Sequence, residues 1–442
     1  MLALAIFIVI SVFILPEWFS IIFLYLAVRI VSGQLEIPSL LTFGEIDILV
    51  ADLVIIAVAS KVFLRGALVR NGVNRLKAVF MPGMVAFLTV MMLSIFVSYM
   101  RFGYETFIME LVPFLRFLGL QICSFLLFVV ALRNLHQIQS AYKAVHWLGY
   151  LVTMSIYLGL LLYPHGITVG EINPSESFTR YQGLLGDSVK LFLLPFIFFE
   201  VLSGRLLGAA FLSTGLLATG GRLGFIGLLV GLVVLIVIER GKMLKAKDFI
   251  AFCSLIIALS IGLWWDIGGM ATRFKDPLEI SVGMGQRVET WRIAFTMARE
   301  NFLAGLGFGG YRLFVQDYQF ASHGDFVFFV TETFSQMLKA VVDGGVLGLA
   351  AFLWMMWNFL TVMGRSMSIT EGELYLFLKS GYILIITLII LSPFVTWLLP
   401  ASTVSYLMLM FVGIGIRVLL TKTNQPLFVF GNHSIWVPRG DV

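Results

Sequence analysis

Residues Ala78–Ser98 read AVFMPGMVAFLTVMMLSIFVS, twenty-one positions without one charged side chain. An α-helix rises 1.5 Å per residue and the hydrocarbon core of a bilayer is about 30 Å thick, so about 20 such residues cross it. The stretch does not alternate apolar with polar positions, which removes the transmembrane-barrel reading. Working outward, residues 65–77 carry Arg65, Arg70, Arg75 and Lys77 with no acid, whereas residues 99–110 carry Glu105 and Glu110 against Arg101. Basic residues collect in the short cytoplasmic loops of membrane proteins, so the leading side of this span is expected inside and the trailing side outside.

The rest of the chain repeats the pattern. Further apolar runs occupy 2–15, 18–31, 46–64, 111–131, 145–163, 189–202, 207–219, 223–238, 249–265, 328–361, 375–392 and 402–420. Over 442 residues the composition is 60% hydrophobic and 12% charged, where a soluble globular chain carries roughly 25% charged residues. Too little polar surface is available for a water-soluble fold. Cys123 and Cys253 both lie inside apolar runs, so no disulfide scaffold is expected. The expected class is an all-α polytopic membrane protein with about 12 transmembrane helices.

The basic loops 132–144 and 239–248 share the cytoplasmic side, which leaves 99–110, 164–188 and 266–327 outside and the C-terminal tail inside. The net charge of +5 is accounted for by this topology without a nucleic-acid partner. If Pro16-Glu17-Trp18 is a true turn, residues 2–31 make two short helices and 13 spans; a kink at Pro16 gives 12 spans with both termini inside, the reading favoured here. The first segment lacks the basic leader and small-residue cleavage site of a signal peptide. The expected division is a transmembrane bundle over 1–265, a large outer loop over 266–327, further transmembrane helices over 328–420, and a cytoplasmic tail over 421–442.

The outer loop 266–327 holds six basic and seven acidic residues, more than a connector needs. Val288, Trp291, Phe295, Ala298 and Phe302 recur at helical spacing, which predicts an amphipathic helix over 287–302 against the bundle or the lipid interface. Gly305-Leu306-Gly307-Phe308-Gly309-Gly310 then breaks it. As a phosphate loop this run is a weak signal, since no Walker lysine follows, and a plain turn is the competing reading. Arg222, in the tight turn Thr219-Gly220-Gly221-Arg222, is costly at membrane depth unless it faces a cavity, the headgroups or a partner. A guanidinium fork also matches phosphate oxygens. Arg180, Arg222, Arg287 and Arg292 are therefore candidate ligands for a lipid-linked phosphate or diphosphate. The five histidines are dispersed, with no metal-binding spacing.

Four blocks together resemble the O-antigen ligase and O-antigen polymerase superfamily, bacterial membrane glycosyltransferases of the GT-C type. They are Arg180-Tyr181-Gln182-Gly183-Leu184; Thr219-Gly220-Gly221-Arg222; Arg287 through Trp291 with the Gly305-Leu306-Gly307 turn; and Asp343-Gly344-Gly345-Val346-Leu347-Gly348. The resemblance covers roughly residues 175–355. It implies transfer of glycan from an undecaprenyl-diphosphate-linked donor to a sugar hydroxyl, without cofactor or metal. It also implies an active site on the periplasmic side of the inner membrane, with Arg180, Arg222 and Arg287 on the diphosphate and a base in or beside the large loop.

One departure separates this chain from the ligase pattern, which places a histidine eleven residues before Gly345; here that position is Phe334. His323 and Glu332 are the remaining candidates for the base. The missing histidine favours a polymerase of O-antigen or exopolysaccharide repeat units over a ligase acting on lipid A-core. The acceptor is then a glycan, with lipid A-core as the alternative, and a chain-length regulator is a conceivable partner. A lipid-linked glycan transporter or flippase is the more distant alternative. It would rest on Asp47 and Asp52, but the chain shows no repeated halves.

Overall fold

Helix dominates the described residues, as lipid requires: a spanning segment must satisfy its own backbone N–H and C=O groups. The computed structural model describes residues 10–12, 41–43, 46–48, 50–68, 81–122, 125–126, 129, 132, 135–169, 171–174, 179–185, 189–239, 259–260, 264–266, 277–323, 333–396, 402–422, 429–430 and 433–434. In chain order these form β1 (Leu41–Phe43), β2 (Ile46–Ile48), α1 (Val50–Leu68), α2 (Pro82–Phe102) and α3 (Tyr104–Phe117), the last running into a π-helical turn at Leu118–Ile122. Then come α4 (Leu135–Leu162), β3 (Glu171–Pro174), β4 (Thr179–Gly183), α5 (Val189–Phe192), α6 (Leu194–Ser203), α7 (Leu206–Ala218) and α8 (Arg222–Ile238). The remainder are α9 (Pro277–Glu300), α10 (Gly310–His323), α11 (Gln336–Ser368), α12 (Gly372–Leu391), α13 (Thr403–Lys422), β5 (Val429–Phe430) and β6 (His433–Ser434).

Five of the described helices are long and apolar enough to cross a membrane: Pro82–Phe102, His136–His165, Gln336–Ser368, Gly372–Leu391 and Thr403–Lys422. α7 and α8 are apolar but shorter. The chain is thus a helical membrane protein, with three antiparallel hairpins added: β1–β2, β3–β4 and β5–β6. The apolar runs expected at 2–15, 18–31 and 249–265 lie largely outside the described residues. The amphipathic helix begins ten residues earlier than its apolar spacing predicts, because Pro277 lacks the N–H that the first turn would orphan and its fixed φ suits that position.

The chain divides into two compact units. The first comprises residues 1–134, 284–362 and 392–442. In it α2 and α11 approach closely at Gly83, whose backbone N–H donates to Asn358 Oδ1 at 3.0 Å. A Cβ there would stand 2.6 Å from the carbonyl carbon of Trp354. Asp52 of α1 accepts two bonds from Arg116 of α3, both at 2.9 Å. This bidentate pair offsets the cost of placing charge among apolar helices, and it gives Asp52 a structural occupation rather than a transport one.

The second unit comprises residues 135–283 and 363–391. The β3–β4 hairpin pairs Asn173 with Arg180 and Ile172 with Tyr181, and it packs on α4. Gly183 ends β4 in a left-handed conformation (φ 58°), and the N–H of Leu184 donates to Ser155 Oγ at 3.1 Å. Phe196, Phe198 and Phe199 of α6 are fully buried, with Gly231 of α8 giving way to the Phe198 ring. Glu200, also buried, lies 2.6 Å from His146 Nε2 and 3.8 Å from Arg205. Arg205 bonds Glu373 at 2.5 Å, and Tyr142 donates to the same carboxylate at 2.8 Å. Lys379 pairs with Glu239.

The Gly83 contact is backbone against backbone and cannot relax by a rotamer change. Gly83→Ala is expected to destabilise the protein by about 1–3 kcal/mol, the usual cost of overpacking. Thermal unfolding of the purified protein would read this as a lowered midpoint, and an unchanged midpoint would disprove the contact.

Candidate functional site

The glycine run after α9 is held by main-chain pairing. Ile293, Ala294, Met297 and Ala298 of α9 pack with Leu306, Tyr311, Val315 and Val342 in one apolar cluster. That leaves residues 302–307 running beside a break in α11, where Gly345 takes φ 65° and ψ −163°. The break frees backbone groups that a continuous helix would use, and the loop bonds to them. Val346 N–H donates to Phe302 O at 2.7 Å, Leu306 N–H to Val342 O at 2.8 Å and Gly307 N–H to Asp343 O at 3.0 Å. A Cβ at Gly305 would stand 2.5 Å from the carbonyl of Asp343, and one at Gly345 would overlap the carbonyl of Leu303. Gly305, Gly307 and Gly309 all have positive φ, where a side chain is strained. The run is therefore a structural clasp and not a phosphate cradle.

Charged groups lie buried under the clasp. Lys339 Nζ donates to Asp343 Oδ2 at 2.7 Å and sits 5.5 Å from the centre of the Phe308 ring. Phe308 in turn contacts Phe114 and Phe117 of α3, with ring centres 5.3 and 5.6 Å apart. Glu110 of α3 is fully buried; it accepts from Ser98 Oγ at 2.7 Å, and its Oε2 faces the Cα of Gly307 with no hydrogen-bond partner among the described residues. Glu110 lies outside the five candidate spans. Burial, with the Asp343 charge adding to it, pushes its carboxyl up to about 9, against a weaker opposing effect of the Ser98 bond.

Arg287 lies on α9 of the first unit. Its guanidinium donates to the carbonyl of Phe394 at 3.0 Å and lies 5.3 Å from the centre of the Phe334 ring. Phe334, at the position where the ligase pattern would have histidine, has φ 49°, a left-handed value rare for a bulky residue. One turn on from Arg287, Trp291 sets its ring 6.0 Å from that of Phe394. The strips carrying these aromatics are tied together: Gln336 N–H donates to Ser392 O at 2.7 Å, and the Thr333 and Thr396 hydroxyls lie 3.3 Å apart. Arg292 is engaged differently, in a bidentate pair with Glu289 at 2.9 and 2.7 Å on an exposed face.

Residues 207–353 match the family model of the O-antigen ligase. No curated protein matches the chain. The matched segment runs from α7 through α10 into α11 and contains Arg222, Arg287, Arg292, His323 and the clasp, whereas Arg180 precedes it.

In the second unit, Arg222 opens α8, within the matched segment, after the Gly220-Gly221 turn, Gly220 having φ 61°. Lys190 of α5 lies with its aliphatic stem on this turn: a Cβ at Gly221 or at Gly224 would stand 2.7 Å from it. Sequence reading did not single out Lys190; the spacing of Gly221 and Gly224 around Arg222, one face cleared of side chains, was the available signal. Arg180 projects from β4, partly buried, and its Nε has no acceptor among the described residues.

The candidate residues thus fall in both units. Arg180 and Arg222, with Lys190, belong to one; Arg287, Arg292 and His323 belong to the other. His323 is the last residue of α10, and Glu332 lies outside the described residues. Among the described residues no group of three or more His, Cys, Asp or Glu could hold a metal ion.

Folded Glu110 keeps its proton to about 9, and an unfolded one only to about 4.5. The folded state therefore binds the extra proton between these values, and its stability falls as pH rises through that window. Glu110→Gln is neutral at every pH and removes the slope. Its thermal midpoint is expected to exceed that of the wild type in mildly alkaline buffer and to converge with it in acid. Parallel pH profiles would show that Glu110 is ionised in the fold.

Proposed function

We propose that this protein is a bacterial inner-membrane glycosyltransferase that moves glycan from an undecaprenyl-diphosphate-linked donor to a sugar hydroxyl, with its reactive face toward the periplasm. The ligase-domain match over residues 207–353 is the observation that carries this reading. The acidic character of segments 99–110 and 164–188, opposite the basic loops, supports the orientation. In the same reading the chain spans the membrane about 12 times, and residues 266–327 form the large periplasmic loop.

The chemistry is displacement at the anomeric carbon. The acceptor oxygen forms a bond to that carbon as the bond to the diphosphate oxygen breaks, and the hydroxyl proton passes to a base. The leaving diphosphate gathers negative charge, which fixed guanidinium groups stabilise without reorganisation. Arg180, Arg222 and Arg287 take this role, with Arg292 released from Glu289 as a further contact. His323 and Glu332 are the candidates for the base, and α10, started by the clasp, carries the first of them.

Phe334 supports polymerisation of O-antigen or exopolysaccharide repeat units. A phenyl ring holding Arg287 cannot accept a proton, so the place a ligase would give to its histidine serves here to fix a cation. The ligase reading, with lipid A-core as acceptor, is favoured by the family match itself.

Purified protein in nanodiscs with undecaprenyl-diphosphate-linked repeat units, with and without lipid A-core, separates the two. A product ladder without core supports the polymerase, product only with core supports the ligase, and no release of lipid diphosphate in either rejects the enzyme. Arg222→Ala and Arg287→Ala are each expected to lower turnover by about 100-fold, while the protein still reaches the membrane. Wild-type glycan profiles from both variants would remove the diphosphate site.

A further inference from the structure

At the C-terminal end of α2, three separate stretches of chain build one ordered patch of polar and aromatic side chains. Arg101 Nη1 donates to Asn301 Oδ1 at 2.6 Å. The Asn301 amide nitrogen donates to the Met297 carbonyl at 3.0 Å and lies 3.5 Å from the Tyr318 hydroxyl, which donates to Glu300 Oε2 at 2.6 Å. Beside this relay the Phe102 and Phe314 ring centres stand 4.5 Å apart. Phe314 and Tyr318, one turn apart on α10, are backed by the apolar cluster of α9, and all of these residues belong to the first unit. Arg101, Phe102 and Glu300 are exposed, and Asn301, Phe314 and Tyr318 are half-buried.

The side chains hold one another in place, so little of their freedom remains to be lost on binding. Arg101 and Glu300 carry opposite charges, which suits a neutral ligand better than an ion. Donors and acceptors alternate along the relay, and a guanidinium or carboxylate that makes one bond has capacity for more. A sugar chain answers all of this, since its hydroxyls both donate and accept while its C–H faces lie on aromatic rings. An aromatic belt at the headgroups needs no such interlocked polar groups. Position narrows the choice further. Glu300 follows Arg287 by 13 residues on α9, about 20 Å at 1.5 Å per residue. That distance is beyond a diphosphate held at Arg287 and within the span of an oligosaccharide. The donor is gripped at its diphosphate, so the chain that must be held by its sugars is the acceptor.

We propose that Arg101, Asn301, Tyr318 and Glu300, with the Phe102 and Phe314 rings, form a binding surface for the acceptor glycan, remote from the reacting carbon. The identity of the ligand rests on the transferase reading, and the existence of the surface rests on the relay.

Tyr318→Phe keeps the ring on the apolar cluster and deletes the hydroxyl, and Arg101→Gln removes the guanidinium from an exposed position. The probes are the repeat-unit oligosaccharide released from its lipid diphosphate and the core oligosaccharide freed of lipid A. Saturation-transfer NMR of the protein in nanodiscs should show one of the two bound to the wild type, and most of that signal lost in both variants. In the transfer assay the KM for the full-length acceptor is expected to rise by about tenfold, the scale of one or two hydrogen bonds, with kcat little changed. An acceptor cut back to the sugars nearest its reacting hydroxyl cannot reach the patch, so its KM should be the same in all three proteins. If Tyr318→Phe is poorly folded, Arg101→Gln carries the test alone.

Equal oligosaccharide signals in the wild type and both variants, or no signal in the wild type, overturn the proposal and return the patch to the headgroup region. A KM rise of the same size for the truncated acceptor also overturns it, because the effect is then structural. Transfer with the wild-type acceptor KM in both variants removes the surface and leaves the transferase reading intact. A protein that transfers no glycan, yet binds oligosaccharide through Arg101 and Tyr318, keeps the surface and removes the transferase reading instead.

Discussion

The first unit depends on the pairing of residues 302–307 with the break in α11. Without Gly345 in its left-handed conformation, α11 would run straight and keep the backbone groups of Val342, Asp343 and Val346 to itself. Without Gly305 and Gly307, the loop could not come close enough to take them. Each side supplies what the other lacks, so neither conformation is stable alone. The direction of α10, the placement of Phe308 between Phe114 and Phe117, and the burial of Asp343 all follow from that mutual fit.

Charge is scarce, and several of the ions set among apolar helices are paired. Asp52 and Arg116, Lys339 and Asp343, Lys379 and Glu239 are matched pairs. In an apolar setting a lone charge is costly, and removing one partner costs more than the pair contributed. Glu110 departs from this pattern because burial and the like charge of Asp343 both favour its neutral form, and the proton it retains is what makes that placement tolerable.

Membrane character was legible from composition and from runs such as Ala78–Ser98, because apolar length is a property of the sequence itself. The helix of α9 was legible at its amphipathic end and not at its start, where Pro277 rather than any periodicity sets the boundary. The glycines after it were legible as a break but not as a clasp, since their partners lie about 40 residues on in a segment that reads as unbroken helix. Arg222 stood out as a charge between two apolar runs, and Arg287 as the head of an amphipathic stretch in a block that resembles a known family. Lys190 and Glu110 did not, because one reads alone as a lysine at the edge of an apolar run and the other as a loop acid, and each gains meaning only from Gly221 and Gly307, which no local pattern connects to them.

The left-handed backbone at Phe334 carries a consequence for how this site can change. A bulky residue at φ 49° stores strain that glycine or asparagine would release. Such a replacement would relax the chain yet take away the ring that steadies Arg287. If Arg287 holds the donor diphosphate as proposed, selection for stability and selection for a fixed guanidinium pull this position in opposite directions. Variants recovered by screening for robustness alone should then drift away from phenylalanine here, whereas those screened for transfer should keep it.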